Sequence, residues 1–268
     1  MTAVWLAPLA FLMIFWLPAQ GFAWALAGLL LGGAWEFRRL ASLEGQISGT
    51  LLVVTQALIL LLLIMGDVTA SIYSLHLLAI TCATWLLIFL RLGTFQAGMQ
   101  PNRRFRVLGF LGALATLSGG WLALSWLRNL PDGPWWILSL LLTIWAADIF
   151  AYFAGSALGK KKLAPELSPG KTWAGLFGGL IGATLVGWLA LRSLPTGVDE
   201  SLFWPLLVAC VALISVGGDL FISLHKRVTG LKDSGRVFPG HGGILDRLDS
   251  LLAGAPFFAI GVMVTTGV

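Results

Sequence analysis

Long apolar runs recur from one end of this 268-residue chain to the other, and they constrain its fold more than any other feature. Hydrophobic residues make up 58% of the sequence and charged residues 11%, whereas ordinary soluble domains carry roughly 25% charged residues. A helix needs about 20 apolar residues to cross a bilayer. The pattern therefore predicts an all-α polytopic membrane protein without a soluble domain of useful size.

Nine apolar runs are candidates for transmembrane helices. They are Val4–Leu17, Phe22–Trp35, Thr50–Met65, Ile72–Leu90, Val107–Leu127, Trp135–Phe153, Trp173–Leu191, Phe203–Leu220 and Leu251–Val268. The first two runs are shorter than a full span, and only residues 18–21 separate them. They form either a tight hairpin of short helices or a pair that does not fully cross. The sequence thus predicts about nine transmembrane helices.

Basic residues are concentrated in alternate connections between these runs. If the nine runs alternate across the membrane, 15 of the 17 lysine and arginine residues fall on one side. The positive-inside rule places that side in the cytoplasm and the N-terminus outside. The basic excess then reflects topology and contact with anionic headgroups or substrates, so it requires no nucleic-acid partner.

The densest group of charges lies between Ser223 and Asp249, among glycines rather than along a helix face. Its charged and imidazole side chains are Lys226, Arg227, Lys232, Arg236, Arg247, Asp233, Asp246, Asp249, His225 and His241. In a chain this apolar, such a segment must face water, a phosphate or a metal ion. The glycines between Pro239 and Gly243 permit close approach of the backbone to a ligand, and His241 among them either binds phosphate or caps a turn.

Four carboxylates indicate a metal site more strongly as a group than any one of them does alone. Asp148 lies within the sixth apolar run, where an uncompensated carboxylate costs roughly 2.5–3.5 kcal/mol on insertion scales. Asp219 lies near the end of the eighth run, and Asp246 and Asp249 share one face if their segment is helical. Each of them alone is explained equally well by pairing with a lysine or an arginine. Together, clustered oxygen ligands near a polyphosphate favour a Mg²⁺ site.

A second polar segment, Gly159–Gly175, falls on the same predicted side of the membrane. Residues 168–172, Ser-Pro-Gly-Lys-Thr, predict a flexible turn just before a helix, where backbone amides and Lys171 could hold phosphate oxygens. The spacing is not that of a Walker A loop. Taken alone, the segment is more typical of a solvated basic loop than of a phosphate site, and its significance comes from facing Ser223–Asp249.

These motifs resemble the phosphatidate cytidylyltransferase family, whose members are also called CDP-diacylglycerol synthases. The C-terminal signature of the family is matched, in its spacing, by Ser223, Lys226–Arg227, Lys232–Asp233, Gly235, Phe238–Pro239, His241–Gly242–Gly243, Asp246–Arg247 and Asp249. Upstream motifs of the family are matched, in order, by Asp148, Ala151–Tyr152–Phe153, Gly155, Ser168–Pro169–Gly170–Lys171–Thr172 and Gly218–Asp219–Leu220–Phe221. The resemblance covers residues 144–249 by motif and the rest of the chain only by hydrophobic layout.

Three positions depart from the usual pattern of that family. His225 stands where members usually carry an apolar residue, and Ile222 stands where many carry a glutamate. Ala174 occupies a position that is often polar. All the motif carboxylates are present.

The resemblance implies an enzyme that transfers the cytidylyl group of CTP to phosphatidate, giving CDP-diacylglycerol and pyrophosphate. It implies catalytic roles for Asp219, Asp246, Lys226 and Lys171. It implies a Mg²⁺ site, often with a monovalent cation such as K⁺ beside it, formed by Asp219, Asp246, Asp249 and Asp148. It implies substrate binding by Ser168, Thr172, Ser223, Arg227, Lys232, His241 and Arg247.

The same resemblance implies an organisation and a location. Residues 1–130 are expected to form a scaffold with dimer contacts, and residues 131–268 a catalytic transmembrane domain with cytoplasmic loops 154–172 and 221–250. We expect a homodimer in the bacterial inner membrane whose active site faces the cytoplasm. Two alternatives remain open at this point: a cytidylyltransferase for another lipid phosphate, and a transporter of an anionic solute, since intramembrane carboxylates also build transport sites.

Overall fold

The computed structural model describes residues 3–96, 98–196, 198–199, 201–237, 240 and 242–267. Within those ranges the chain forms nine α-helices, one short 3-10 helix and one two-stranded hairpin. The helices are α1 (Ala3–Trp16), α2 (Ala19–Leu40), α3 (Gln46–Met65), α4 (Tyr73–Leu92), α5 (Arg103–Asn129), α6 (Gly133–Leu158), α7 (Trp173–Ser193), α8 (Phe203–Thr229) and α9 (Leu245–Thr266). The 3-10 helix is Val68–Ala70, and the strands are β1 (Lys162–Ala164) and β2 (Ser168–Thr172).

Seven helices in the described part of the chain, α3 to α9, are long and apolar enough to cross a bilayer. The described apolar part of α1, Ala7–Trp16, is shorter than a span. Helix α2 has 22 residues, yet it is not among the seven. The helical, polytopic architecture is therefore confirmed, whereas a count of nine crossing helices is not confirmed.

Helix α2 lies alongside α5 and runs in the opposite direction. At one end the Trp121 indole donates a hydrogen bond to the Ala23 carbonyl, at 2.9 Å. At the other end Gly109 lets α5 approach α2 closely, since a Cβ built there would lie 2.8 Å from the Cβ of Ala41. This pairing carries the polar end of α2 to the end of the bundle where α5 begins.

Polar connections that are distant in sequence meet at that same end. The Arg227 side chain, in the last turn of α8, donates to the carbonyl of Leu167 in the α6–α7 connection, at 3.1 Å. The ring of His225 in α8 lies 5.1 Å from the ring of Phe105 in the first turn of α5. The basic connections that the sequence assigned to one side of the membrane are therefore neighbours in space.

Residues 168–172 are strand β2 and not the flexible turn that the sequence predicted. Strands β1 and β2 are antiparallel, with Lys162 opposite Thr172 and Ala164 opposite Ser168. Pro169 is tolerated there because both strands of a two-stranded hairpin are edge strands, where a missing N–H is not needed for pairing. Leu167, which is buried, anchors the hairpin against the helices.

At the end of the bundle where the polar connections meet, helices α8 and α9 extend beyond the apolar runs of the sequence. Helix α8 continues to Thr229 and α9 begins at Leu245, so residues 230–244 form the connection between them. The polar residues of the expected 221–250 loop are therefore divided between two rigid helix ends and a shorter loop.

Candidate functional site

A cavity of about 240 Å³ lies between α6, α7, α8 and strand β2. Its walls are mostly small or apolar, formed by residues such as Ala147, Gly179 and Val216. Three charged side chains line it: Asp148, Lys171 and Asp219. Ligand pockets for drug-sized molecules commonly measure roughly 300–1,000 Å³, so this cavity by itself suits only part of a nucleotide or a lipid phosphate.

Lys171 and Asp219 form an ion pair that joins the hairpin to α8. The Nζ atom of Lys171 lies 2.7 Å from Oδ2 of Asp219, and both side chains are partly buried. The other carboxylate oxygen, Oδ1, accepts a hydrogen bond from the hydroxyl of Ser223, one helical turn later, at 3.3 Å. Three residues that the sequence singled out are thus in contact.

A second ion pair joins α8 to the first turn of α9. The Nζ atom of Lys226 lies 2.7 Å from Oδ1 of Asp246. Oδ2 of Asp246 accepts hydrogen bonds from the backbone N–H of Ser234 at 2.8 Å, from the Ser234 hydroxyl at 2.9 Å and from the Gly243 N–H at 2.9 Å. Gly242, with φ +83°, adopts the left-handed conformation that this turn requires.

Asp249 lies near both pairs, at a close approach of α8 and α9. A Cβ at Gly218 would clash with the backbone oxygen of Asp249, so the glycine is what permits this approach. Asp249 is buried, at 8% exposure, and its Oδ1 accepts a hydrogen bond from the Ser250 N–H at 2.7 Å. The charge of Asp219 is close enough to interact with both Asp249 and Asp148.

Asp219 is near two of the other predicted metal ligands, Asp148 and Asp249, whereas the contacts described for Asp246 are with Lys226, Ser234 and Gly243, so the four do not form a complete protein cage. In the part of the chain that the structure describes, no three acidic, histidine or cysteine side chains converge on one metal position. Mg²⁺ usually keeps several waters and takes one or two carboxylates together with substrate phosphates. Asp219 repels both Asp148 and Asp249, while the Lys171 ammonium attracts both carboxylates; a cation bound among these oxygen donors would offset the repulsion further, so the donors fit Mg²⁺.

The remaining predicted substrate-binding residues are spread over the hairpin and the α8–α9 connection. The buried Thr172 hydroxyl caps α7 by accepting from the Gly175 N–H at 3.0 Å, and Thr172 also lines the cavity. Ser168 is half-buried on β2, whereas Lys232 and Arg247 are exposed. His241, like Phe238 and Pro239, lies outside the described residues.

His225 and Ile222, two of the departures from the family pattern, lie in the helix packing and not in the cavity. The His225 ring contacts the rings of Phe37, Phe105 and Phe221, and its Nδ1 lies 3.0 Å from the carbonyl oxygen of Phe221. Ile222 is 3% exposed. An aromatic, neutral imidazole fits such surroundings, which explains how histidine replaces an apolar residue here.

Two residues beside the site were not predicted from the sequence. Glu36, in α2, is 4% exposed and accepts hydrogen bonds from Ser234, Ile244 and Leu245. Ser234 is fully buried and also contacts Asp246. Glu36 immediately follows the second apolar run and precedes Arg38, so the only signal in the sequence was a carboxylate at the basic end of an apolar helix.

Known proteins resemble this chain in sequence over nearly its whole length. The sequence model of the Cytidylyltransferase family matches residues 1–265. The phosphatidate cytidylyltransferase of Pseudomonas aeruginosa is 38% identical over 264 residues, which cover 96% of this chain and 93% of that protein. The phosphatidate cytidylyltransferase of Haemophilus influenzae is 35% identical over 256 residues, covering 89% of this chain and 88% of that protein. That of Brucella abortus is 47% identical over 137 residues, about half of each chain.

Proposed function

The chain belongs to the cytidylyltransferase family, and we infer that it transfers the cytidylyl group of CTP to phosphatidate, giving CDP-diacylglycerol and pyrophosphate. It is thus a nucleotidyltransferase of phospholipid biosynthesis. The observation that carries this conclusion is the convergence of two lysine–aspartate pairs, Lys171–Asp219 and Lys226–Asp246, at one end of a membrane helix bundle. A phosphate-transfer site requires such cations and carboxylates close together.

The reaction joins two anions, so its barrier consists mainly of charge repulsion and alignment. A phosphate oxygen of phosphatidate attacks the α-phosphorus of CTP and forms a new P–O bond. The bond from that phosphorus to the oxygen bridging the α- and β-phosphates breaks, and its electron pair leaves with pyrophosphate. No strong general base is required because the nucleophile is already ionised.

Cationic side chains of the site reduce this repulsion. Lys171 lines the cavity beside Asp219, and Lys226 lies at the end of α8, so each is positioned by its carboxylate partner before substrate arrives. We assign phosphate binding to these two lysines. The other residues that we assign to substrate binding are Ser168, Thr172, Ser223, Arg227, Lys232, His241 and Arg247.

The carboxylates are the candidates for holding a metal ion. We propose that Asp219, Asp246 and Asp249, with a contribution from Asp148, hold Mg²⁺, with a monovalent cation such as K⁺ beside it. Bound there, Mg²⁺ would neutralise phosphate charge and polarise the phosphoryl oxygens. The chain's own part is to hold these oxygens on the adjoining faces of α6, α8 and α9 and to exclude bulk water with the apolar walls of the cavity.

The concentration of basic residues at the site end supports an orientation. We propose that this end faces the cytoplasm of a bacterial cell, in the inner membrane, where CTP is available. The lipid substrate would then approach from the cytoplasmic leaflet. We also propose that the protein is a homodimer, with contacts in residues 1–130.

Turnover by the purified protein tests the function. Protein in detergent, given CTP, phosphatidate and Mg²⁺, is expected to release pyrophosphate and CDP-diacylglycerol in equal amounts. Product only with a different lipid phosphate would identify a cytidylyltransferase of other specificity. Absence of product with all lipid phosphates, together with solute uptake by reconstituted vesicles, would identify a transporter.

A further inference from the structure

We propose that Glu36 is a positioning residue of the site, acting through Ser234 and the start of α9 to hold the Asp246 carboxylate in place. This inference rests on the proposed function, because the position of Asp246 matters only if that carboxylate acts in the reaction. Glu36 belongs to α2, in the half of the chain expected to be scaffold. It nevertheless reaches residues 198 to 209 positions later in the sequence.

Glu36 closes the N-terminal end of α9. Its Oε1 accepts a hydrogen bond from the Ile244 N–H at 2.9 Å, and its Oε2 accepts one from the Leu245 N–H at 3.1 Å. The first N–H groups of a helix have no partner within the helix, and the helix dipole favours a negative charge there. Since Leu245 directly precedes Asp246, the carboxylate of Glu36 holds the backbone from which the Asp246 side chain projects.

Ser234 connects Glu36 to Asp246 directly. The Ser234 hydroxyl lies 2.8 Å from Oε2 of Glu36 and 2.9 Å from Oδ2 of Asp246. Its backbone N–H donates to the same Asp246 oxygen. With Lys226 on Oδ1, both oxygens of Asp246 have fixed partners, and Glu36 holds the partner on one of them.

Two glycines of the α8–α9 connection, Gly235 and Gly243, leave space for the Glu36 carboxylate. A Cβ at Gly235 would clash with the Glu36 side chain, and one at Gly243 would clash with both Glu36 and the Ser234 hydroxyl. If the only role of this contact were to attach α2 to the loop, an apolar side chain would be sufficient. Burying a carboxylate is unfavourable unless hydrogen bonds offset the loss of hydration. In the described residues, the groups that donate hydrogen bonds to the Glu36 carboxylate either contact Asp246 or lie within two positions of it.

The test compares Glu36→Gln, Ser234→Ala and the double variant with wild type in detergent. In Glu36→Gln, an NH₂ group replaces one carboxylate oxygen and faces a hydrogen-bond donor, either the Ile244 N–H or the Leu245 N–H and the Ser234 hydroxyl. Ser234→Ala removes only the hydroxyl that connects Glu36 to Asp246. Each single variant is expected to lower kcat about 10- to 100-fold, the usual effect of losing a residue that orients a ligand. The double variant should be no slower than Glu36→Gln, because both substitutions break one chain of contacts.

Binding of Mn²⁺, measured by electron paramagnetic resonance without substrates, supplies a readout besides activity. Affinity for Mn²⁺ is expected to fall in both single variants. The matched control is Glu44→Gln, which removes the same charge from an exposed carboxylate 3.6 Å from Arg39. This control should retain wild-type kcat and Mn²⁺ affinity.

Several outcomes separate this inference from the proposed function. Wild-type kcat and Mn²⁺ affinity in Glu36→Gln would overturn the positioning role, as would a loss explained wholly by a smaller folded fraction. If Glu36→Gln does not fold, Ser234→Ala decides, and wild-type behaviour of that variant overturns the inference. A wild-type protein that forms no CDP-lipid contradicts the proposed function instead, and the Mn²⁺ measurements then decide the positioning role.

Discussion

The ammonium of Lys171 and the carboxylate of Asp219 lie 2.7 Å apart, and this contact joins the β hairpin to α8. Lys171 lies on a strand that leads directly into α7, and Asp219 lies within α8, so the pair connects three structural elements at the cavity. Lys226 and Asp246 repeat the arrangement between α8 and α9 at the same separation. Helix α8 therefore contributes one member to each pair and is the central support of the site.

Replacing Lys171 by methionine is expected to lower kcat about 100- to 1000-fold. Loss of one preorganised donor to a developing phosphate charge typically has that effect. Lys171→Arg should retain more activity because it keeps the positive charge. Lys161→Met, an exposed lysine in the same connection, is the control and should be close to wild type in the same pyrophosphate-release assay.

Replacing Asp246 by asparagine is expected to abolish turnover while leaving expression intact. The substitution preserves the shape of the side chain but removes the charge that pairs with Lys226 and that would hold Mg²⁺. A loss of several kcal/mol of transition-state stabilisation corresponds to about 1000-fold or more in kcat. Asp67→Asn, at the opposite end of the bundle, serves as the control, and near-normal activity of Asp246→Asn would disprove the metal assignment.

Gly218→Ala is expected to destabilise the packing of α8 against α9. The added methyl group would clash with the Asp249 backbone oxygen and lie 2.7 Å from the Cβ of Ala253. Overpacking of this kind costs about 1–3 kcal/mol, so the melting temperature in detergent should fall. Gly28→Ala, where nothing lies within 4 Å of the new Cβ, should melt at or above the wild-type temperature. Equal melting temperatures for the two variants would show that α8 and α9 are less closely packed than described.

Removal of divalent ions is expected to abolish activity reversibly. Asp219 repels both Asp148 and Asp249, and phosphates bound beside them would add further negative charge that a divalent cation offsets. Chelation with EDTA should therefore stop pyrophosphate release, and added Mg²⁺ should restore it. Full activity in EDTA would contradict the Mg²⁺ proposal. If a K⁺ ion is also required, exchanging K⁺ in the buffer for a bulky organic cation should lower the activity.

Single cysteines are expected to react from opposite sides of the membrane. In a background with both native cysteines, Cys82 and Cys210, replaced by alanine, Lys161→Cys reports on the site end. Ser201→Cys reports on the α7–α8 connection at the other end. An impermeant maleimide added to intact spheroplasts should label only the cysteine at position 201, and the reverse pattern would place the site outside the cytoplasm.

The sequence alone determined the class of fold and indicated most of the residues of the candidate site. Apolar runs of spanning length are a local property, so each helix could be predicted without knowledge of its neighbours. The lysines and most of the aspartates of the candidate site could be predicted as a group, because they lie in two short polar segments and one helix end. Loop alternation then predicted that Lys171 and Lys226 would lie at the same end of the bundle, and the structure has both there.

Only the tertiary structure decided which of these groups touch and what supports them. Pairing of Lys171 with Asp219 depends on how a hairpin packs on α8, and residues 168–172 form a strand because β1 is there to pair with them. Glu36 could not be predicted as a site residue, because its nearest hydrogen-bond partner in the site lies 198 positions later in the chain. Side-chain hydrogen bonds act over about 3 Å, so such a contact exists only after α2 and α9 have packed.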